Sequence, residues 1–228
     1  ISLYQPALID GGADEIGEIC VSTPGVFAGH TYTEADKNID LYYQEKYLRT
    51  GDLGRVDPDG YLWITGRAKD LIIRGGHNID PMLIEEILYQ APGVELAAAV
   101  GQPDRRVGEV PVSFVQMQPG KTFDEEAIKT FVRDRIQERA ANPVAVYSLN
   151  EMPLTQVGKI FKPSLRMEAA RILLQRELSA IAAGRGHIAV SVDAHPSYGT
   201  LATISIMDGD EDLAQITKDT VGGYPLKT

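Results

Sequence analysis

Apolar positions along this chain change spacing, and the changes mark out its segments. Up to residue 66 they come in short runs between turn residues. Gly17-Glu-Ile-Cys-Val-Ser22 reads as a strand, and a Pro24-Gly25 turn follows it. Asp57-Pro-Asp-Gly60 reads as a tight turn, because Pro58 presets its φ and Gly60 accepts a positive one. Tyr61-Leu-Trp-Ile64 then returns, so residues 53–64 are predicted to form a hairpin. After Arg67 the pattern alternates between two periods. Residues 70–74 read as an apolar strand and Gly75-Gly76 as a turn. Pro81 suits the first turn of a helix whose apolar face is Ile84, Ile87 and Leu88. Residues 95–101, 110–116 and 144–149 read as strands. Thr122-Phe-Asp-Glu125 has the form of a capping box, and Ile128, Phe131, Val132 and Ile136 continue the helix it would start. Pro163 opens a last helix through Leu165, Ala169, Ile172 and Leu173. Beyond a linker-like Gly184-Arg-Gly186, Ile188, Val190 and Val192 alternate, as do Ala202, Ile204 and Ile206. A turn at residues 195–199 separates them, and Asp210 caps a short helix carrying Leu213 and Ile216.

Strands and helices alternate without a long βαβ series, which predicts an α+β fold. Three segments are expected: a β-rich stretch over residues 1–66, a small α+β domain over 67–182, and a β-β-α extension over 183–228.

Composition narrows the function classes. Of 228 residues, 43% are hydrophobic, enough for a sizeable core. The formal net charge of -10 argues against nucleic acid as the main ligand, which needs basic surface. It leaves room for an anionic nucleotide in a local pocket. Cys20 is the single cysteine, so no disulfide forms within the chain, which fits a reducing compartment. No apolar run is long enough to span a membrane and none reads as a signal peptide, so a soluble cytoplasmic protein is expected. The opening residues, ISLYQPALIDGGADE, carry no initiator Met and read as the interior of a longer protein. His30, His77, His187 and His195 show no metal-ligand spacing, and a catalytic role for His77 is not expected.

Two blocks carry more specific information. Residues 47–81 read YLRTGDLGRVDPDGYLWITGRAKDLIIRGGHNIDP, and residues 153–160 read Pro-Leu-Thr-Gln-Val-Gly-Lys-Ile. In this order and separation they resemble the hinge-spanning block and the late lysine loop of the adenylate-forming enzymes. That superfamily comprises acyl-CoA synthetases, luciferases and peptide-synthetase adenylation domains. The resemblance covers about residues 15–170. It departs at His30, where the family often has tyrosine, and at Ala140-Ala-Asn-Pro143, where an aromatic-Lys-x-Pro pattern is usual.

The resemblance implies a role for each matched residue. Asp52 of Thr50-Gly51-Asp52 would bind the ribose hydroxyls of ATP and of the acyl-adenylate; a carboxylate offers two acceptor oxygens to a diol's two donors. Arg67 would also contact the ribose, using its guanidinium fork. Lys69 would be the hinge about which a mobile C-terminal domain turns. Gly75 and Gly76 would line the path of the CoA pantetheine, where backbone must approach a ligand closely. Lys159 would bridge the substrate carboxylate and the α-phosphate during adenylation, its ammonium offsetting the repulsion of two anions. Residues 1–66 would then be the end of a large N-terminal domain.

The function implied is that of an acyl-CoA synthetase. ATP, with Mg, would activate a carboxylic acid, fatty acids being the favoured class, and CoA would accept the acyl group. These residues alone are expected to be inactive, because the family's phosphate loop and acyl pocket lie upstream. A fatty acyl-AMP ligase or a peptide-synthetase adenylation domain, loading a carrier protein, is the alternative within the class. Residues 183–228 lie outside the resemblance. Their alternating strands suit a binding or oligomerisation module that extends a sheet or pairs across a homo-oligomer.

Overall fold

The computed structural model describes residues 15–23, 25, 31–197 and 199–224. Pro24 and Tyr198, both in expected turns, and His30 lie outside the described residues. The chain divides into two compact units, Ile1–Leu71 and Ile72–Thr228.

In the first unit, β1 (Gly17–Val21), β2 (Tyr42–Tyr43), β3 (Tyr47–Val56) and β4 (Leu62–Arg67) form an antiparallel sheet. β3 is its centre: β1 pairs along one edge, and β2 and β4 take successive stretches of the other. The expected hairpin is β3–β4. Its turn closes with the Gly60 amide on the Asp57 carbonyl at 2.9 Å, and Gly60 takes φ +86. Asp57 also accepts the indole N–H of Trp63 at 2.7 Å and the amides of Asp59 and Tyr61. These donors, Trp63 foremost, hold its carboxyl below the usual range.

The second unit is built on a long antiparallel pair, β7 (Val94–Asp104) and β8 (Gly108–Met117). Before it come β5 (Ile72–Arg74), β6 (His77–Ile79) and helix α1 (Pro81–Leu88); after it come α2 (Glu125–Arg133) and β9 (Ala145–Ser148). The sheet runs β6-β5-β8-β7, with β9 parallel to β8 on the edge that β5 begins. Period-2 alternation fills both faces. Ala97, Ala99 and Val115 pack with Ile84 and Leu88 of α1 and Ile128 and Val132 of α2. Ala98, Val100, Val112 and Phe114 point the other way, onto Leu165 and Ala169 of α3 (Lys162–Ala182). With both faces covered, the strand reads as the unbroken run Leu-Ala-Ala-Ala-Val over residues 96–100 rather than as an alternation.

α3 has 21 residues, about 31 Å at the helical rise, and outruns the sheet. Its later residues Leu173, Leu174, Leu178 and Ala182 form a separate core with the hairpin β10 (His187–His195) and β11 (Gly199–Met207) and with α4 (Glu211–Val221). The β-β-α extension is therefore part of the second unit. Ile188, Val190 and Val192 face this core, as their spacing implied.

Four local expectations shift. The helix at 125 starts one turn feature later than the capping box suggested: Asp124, not Thr122, caps it by accepting the Ala127 amide at 3.0 Å. Glu125 cannot return to the cap because it accepts the Val146 amide of β9 at 3.1 Å. The helix ends at Arg133, so Ile136 reaches the core from the following loop. In α4, Ile216 is 37% exposed, and Leu213, Thr217 and Val221 make the buried face. The apolar strand read over 70–74 begins at Ile72, after a 3-10 turn at Ala68–Asp70.

Candidate active-site elements

In the first unit, Thr50-Gly51-Asp52 forms a bulge on β3. Glu18 of β1 pairs with Leu53 and Cys20 with Arg49, so Thr50, Gly51 and Asp52 together face Ile19. Gly51 at φ +73 makes the bulge, and two ties fix it. The Thr50 hydroxyl donates to the Ile19 carbonyl at 2.7 Å, and the Gly51 amide donates to Glu18 at 3.3 Å. Glu18 is itself held by Arg49 at 2.6 Å. Two residues on, Gly54 has no room for a side chain: a Cβ there would lie 2.6 Å from the Trp63 carbonyl.

Asp52 and Arg67 are cross-strand neighbours on β3 and β4. Arg67 Nε donates to Asp52 Oδ1 at 2.9 Å, with the side chains 30% (Asp52) and 54% (Arg67) exposed. A pair this wet is worth about 0–1 kcal/mol to the fold. Its chemical capacity is larger: two carboxylate oxygens and five guanidinium N–H groups exceed one bond. Lys69 is exposed in the 3-10 turn Ala68–Asp70, two residues before the first unit ends at Leu71.

In the second unit, Gly75 and Gly76 form the two-residue loop between β5 and β6, where Arg74 pairs with His77. Both take positive φ, +56 and +86, which is the type I′ geometry that matches strand twist. The loop is tethered on both sides. The Gly75 amide donates to the Val107 carbonyl at 2.8 Å, and Arg74 donates to the Ala140 carbonyl at 2.7 Å. Arg74 also pairs with Gly108 at the start of β8. His77 and Asn78 are exposed beyond it. Among the described residues, no three His, Cys, Asp or Glu side chains converge as a metal site.

Lys159 lies on a small hairpin rooted at Pro153 and Phe161. The Phe161 amide donates to the Pro153 carbonyl at 2.8 Å, and the Thr155 amide to the Lys159 carbonyl at 2.7 Å. The Gly158 amide closes the turn on Thr155 at 2.9 Å, with Gly158 at φ +77. The Thr155 hydroxyl then accepts the Lys159 amide at 3.1 Å. Backbone and Thr155 thus hold Lys159 while its side chain stays exposed and pairs with no described residue. The root hangs from the far end of β8, where the Met152 amide donates to Gln116 at 2.7 Å. The Gly75-Gly76 loop and the Lys159 hairpin therefore sit at opposite ends of one strand.

A further pair was not evident from periodicity. Lys162, at the start of α3, contacts Glu85 of α1 at 2.7 Å, with side chains 18% and 15% exposed. Glu85 also accepts the Ala99 amide at 2.7 Å. Burial pushes the Glu85 carboxyl up, against the pull of Lys162. The pair joins α1, β7 and the helix that follows the Lys159 hairpin. The available signal was a Glu beside the apolar face of α1 and a Lys just before Pro163; nothing local indicates that they meet.

Comparison with known proteins places the chain. Residues 83–159 match the family model of the AMP-binding enzyme C-terminal domain. A marinolic acid–CoA ligase from Pseudoalteromonas is 47% identical over 153 residues, 67% of this chain and 23% of the relative. The crystal structure of ATP-bound MatB from Rhodopseudomonas palustris superposes with TM-score 0.64 at 32% identity, covering 71% of this chain and 32% of that one. The amide bond synthetase McbA from Marinactinospora thermotolerans gives TM-score 0.61 at 30% identity, covering 70% and 32%. The chain thus spans about a quarter to a third of the length of the curated relatives it matches. Matched family model, related acyl-CoA ligases and shared α+β architecture agree: the chain belongs to the adenylate-forming superfamily, and it corresponds to the C-terminal portion of its acyl-CoA ligases.

Proposed function

We propose that this chain supplies the C-terminal part of an AMP-forming acyl-CoA synthetase, with the division of labour set by Lys159 and the Gly75-Gly76 loop. The observation that carries the reading is their placement at opposite ends of β8, each held by backbone bonds with its working group exposed. In the first step a carboxylate oxygen attacks the α-phosphorus of ATP and pyrophosphate leaves. Two anions approach each other, and the Lys159 ammonium offsets their repulsion and stabilises the charge on phosphorus. Asp52 accepts hydrogen bonds from the ribose hydroxyls and Arg67 holds the same sugar. In the second step the CoA sulfur attacks the acyl carbonyl and AMP leaves with the bonding pair. The Gly75-Gly76 loop lets the pantetheine arm pass close to backbone. Rotation at Lys69 exchanges the two ends of β8 between the steps.

The related CoA ligases and the ATP-bound neighbour support ATP, a small carboxylate and CoA as ligands; a fatty acid is the favoured carboxylate class. Mg would arrive with the ATP triphosphate, and no described residue of this chain is assigned to it. The lone Cys20 and the absence of a long apolar helix among the described residues accord with a cytoplasmic enzyme. The likeness to an amide bond synthetase supports a second reading for the acceptor alone: the same adenylation, followed by transfer to an amine or a carrier-protein thiol.

Lys159→Ala in the full-length enzyme tests the assignment. ATP–pyrophosphate exchange should fall by about 10²-fold or more, the scale of one transition-state charge contact. Thioester formation from supplied acyl-adenylate should be largely spared. Equal loss of both steps would remove the two-step division. Turnover of acyl-adenylate with amines or carrier protein but not with CoA would select the second reading.

A further inference from the structure

The extension reaches back to the turn that joins β7 to β8, where Arg105 makes the connection. Arg105 donates to Glu177 of α3 at 2.8 Å and to the Thr220 carbonyl of α4 at 3.0 Å. Its guanidinium lies over the Tyr224 ring, 4.5 Å from the centroid. A Cβ added at Gly223 would stand 3.3 Å from Arg105 Cδ, so backbone packs directly on the arginine stem. Tyr224 is 7% exposed, and burial, aided by Glu177, pushes its hydroxyl up to about 12, so it stays a neutral donor.

The other shoulder of the same turn carries the Gly75-Gly76 loop. Val107 accepts the Gly75 amide at 2.8 Å, Gly108 pairs with Arg74, and Glu109 accepts the Ile73 amide at 3.0 Å. Between the shoulders, Asp104 ties the turn internally by accepting the amides of Arg106 and Val107 at 2.8 and 3.0 Å. Arg105 thus stands two residues from the carbonyl that holds Gly75. β10, β11 and α4 have their own core, and Arg105 links it by polar contacts to the turn that holds the loop.

We propose that the extension over residues 187–224 buttresses the Gly75-Gly76 loop through Arg105, which makes Arg105 a positioning residue for the acceptor step. The proposal rests on the reading of that loop given above. It gives the extension a task within the reaction, and it requires no second copy of the chain.

Arg105→Met in the full-length enzyme keeps the apolar stem and removes the hydrogen bonds and the charge. The KM for CoA in transfer from acyl-adenylate should rise about tenfold, the equivalent of one charge-assisted hydrogen bond. ATP–pyrophosphate exchange should stay within about twofold. Hydrogen exchange of the peptide spanning residues 72–80 should accelerate. Arg105→Lys, which retains a cation over Tyr224, should recover part of both effects. A role confined to stability would lower both half-reactions with the folded fraction, leave the CoA KM unchanged, and so overturn the proposal. Unchanged exchange at residues 72–80 would overturn it too. Should Arg105→Met fail to fold, Glu177→Gln, which keeps the shape of the contact, is read by the same two measurements. A wild-type enzyme that never transfers to CoA would refute the acceptor reading instead, while exchange at residues 72–80 would still decide the mechanical coupling.

Discussion

Glu85 and Lys162 show how a largely buried charge pair can matter without stabilising. Desolvation outweighs the attraction of Lys162 at Glu85, since the carboxyl is pushed up rather than down. A pair in that balance adds little net stability, yet removing one member strands the other. Lys162→Met alone should cost about 3–5 kcal/mol in denaturant unfolding, whereas Lys162→Met with Glu85→Met should recover most of it. The pH response has a definite sign. The folded state keeps the Glu85 proton to higher pH than the unfolded chain, whose carboxyl titrates near its ordinary 4.5. The stabilisation from that proton is full below this value and fades as pH rises through the higher folded one. Glu85→Gln should abolish that component of the pH dependence. Neither effect is legible locally, because the partners are remote in the chain and only the packing of both α1 and α3 against β7 brings them together.

Elements show which parts of the pattern were readable and which were not. α1, α3, the β3–β4 hairpin and the Gly75-Gly76 turn followed from signals within a few residues: Pro81 at a helix start, the i, i+4 face of Ile84 and Leu88, paired glycines. The bulge at Thr50-Gly51-Asp52 did not, since it depends on Ile19 and Glu18 of a strand some thirty residues away. The start of α2 was misplaced because Thr122 and Asp124 are both good caps, and the choice fell to Glu125, drawn away by the Val146 amide. The correction is measurable. Asp124→Ala should cost about 1 kcal/mol of stability, the usual worth of an N-cap, and Thr122→Ala only a few tenths. Equal losses at the two sites would restore Thr122 as the cap. The candidate site was legible as residue types in order; what the sequence withheld was the Lys162 support, the Arg105 link and the opposite placement of the two loops.

At the scale of the whole molecule the question is how one chain serves two steps. The first unit, which carries Asp52 and Arg67, ends at Leu71, and the second, which carries Gly75, Gly76 and Lys159, begins at Ile72. Lys69 sits in a three-residue 3-10 turn just before this division, flanked by non-helical residues, Arg67 at φ -119, ψ 136 and Leu71 at φ -55, ψ 139. A short turn between non-helical residues can absorb a large torsion change at few positions. Proline at position 69 would fix φ near −65° and bias Ala68 away from helical torsions. Lys69 is not among the groups proposed to contact substrate, so a loss confined to the second step reports on rotation. Lys69→Pro in the full-length enzyme should leave ATP–pyrophosphate exchange within a few-fold and slow CoA transfer by about tenfold or more, the scale of misplaced reacting groups. Lys69→Gly, which widens the accessible torsions, should spare both steps. Single-turnover chase of preformed acyl-adenylate with CoA separates them. Loss of exchange alone would show that residue 69 positions the first step, and the hinge would then have to lie elsewhere in the turn, at Ala68 or Asp70.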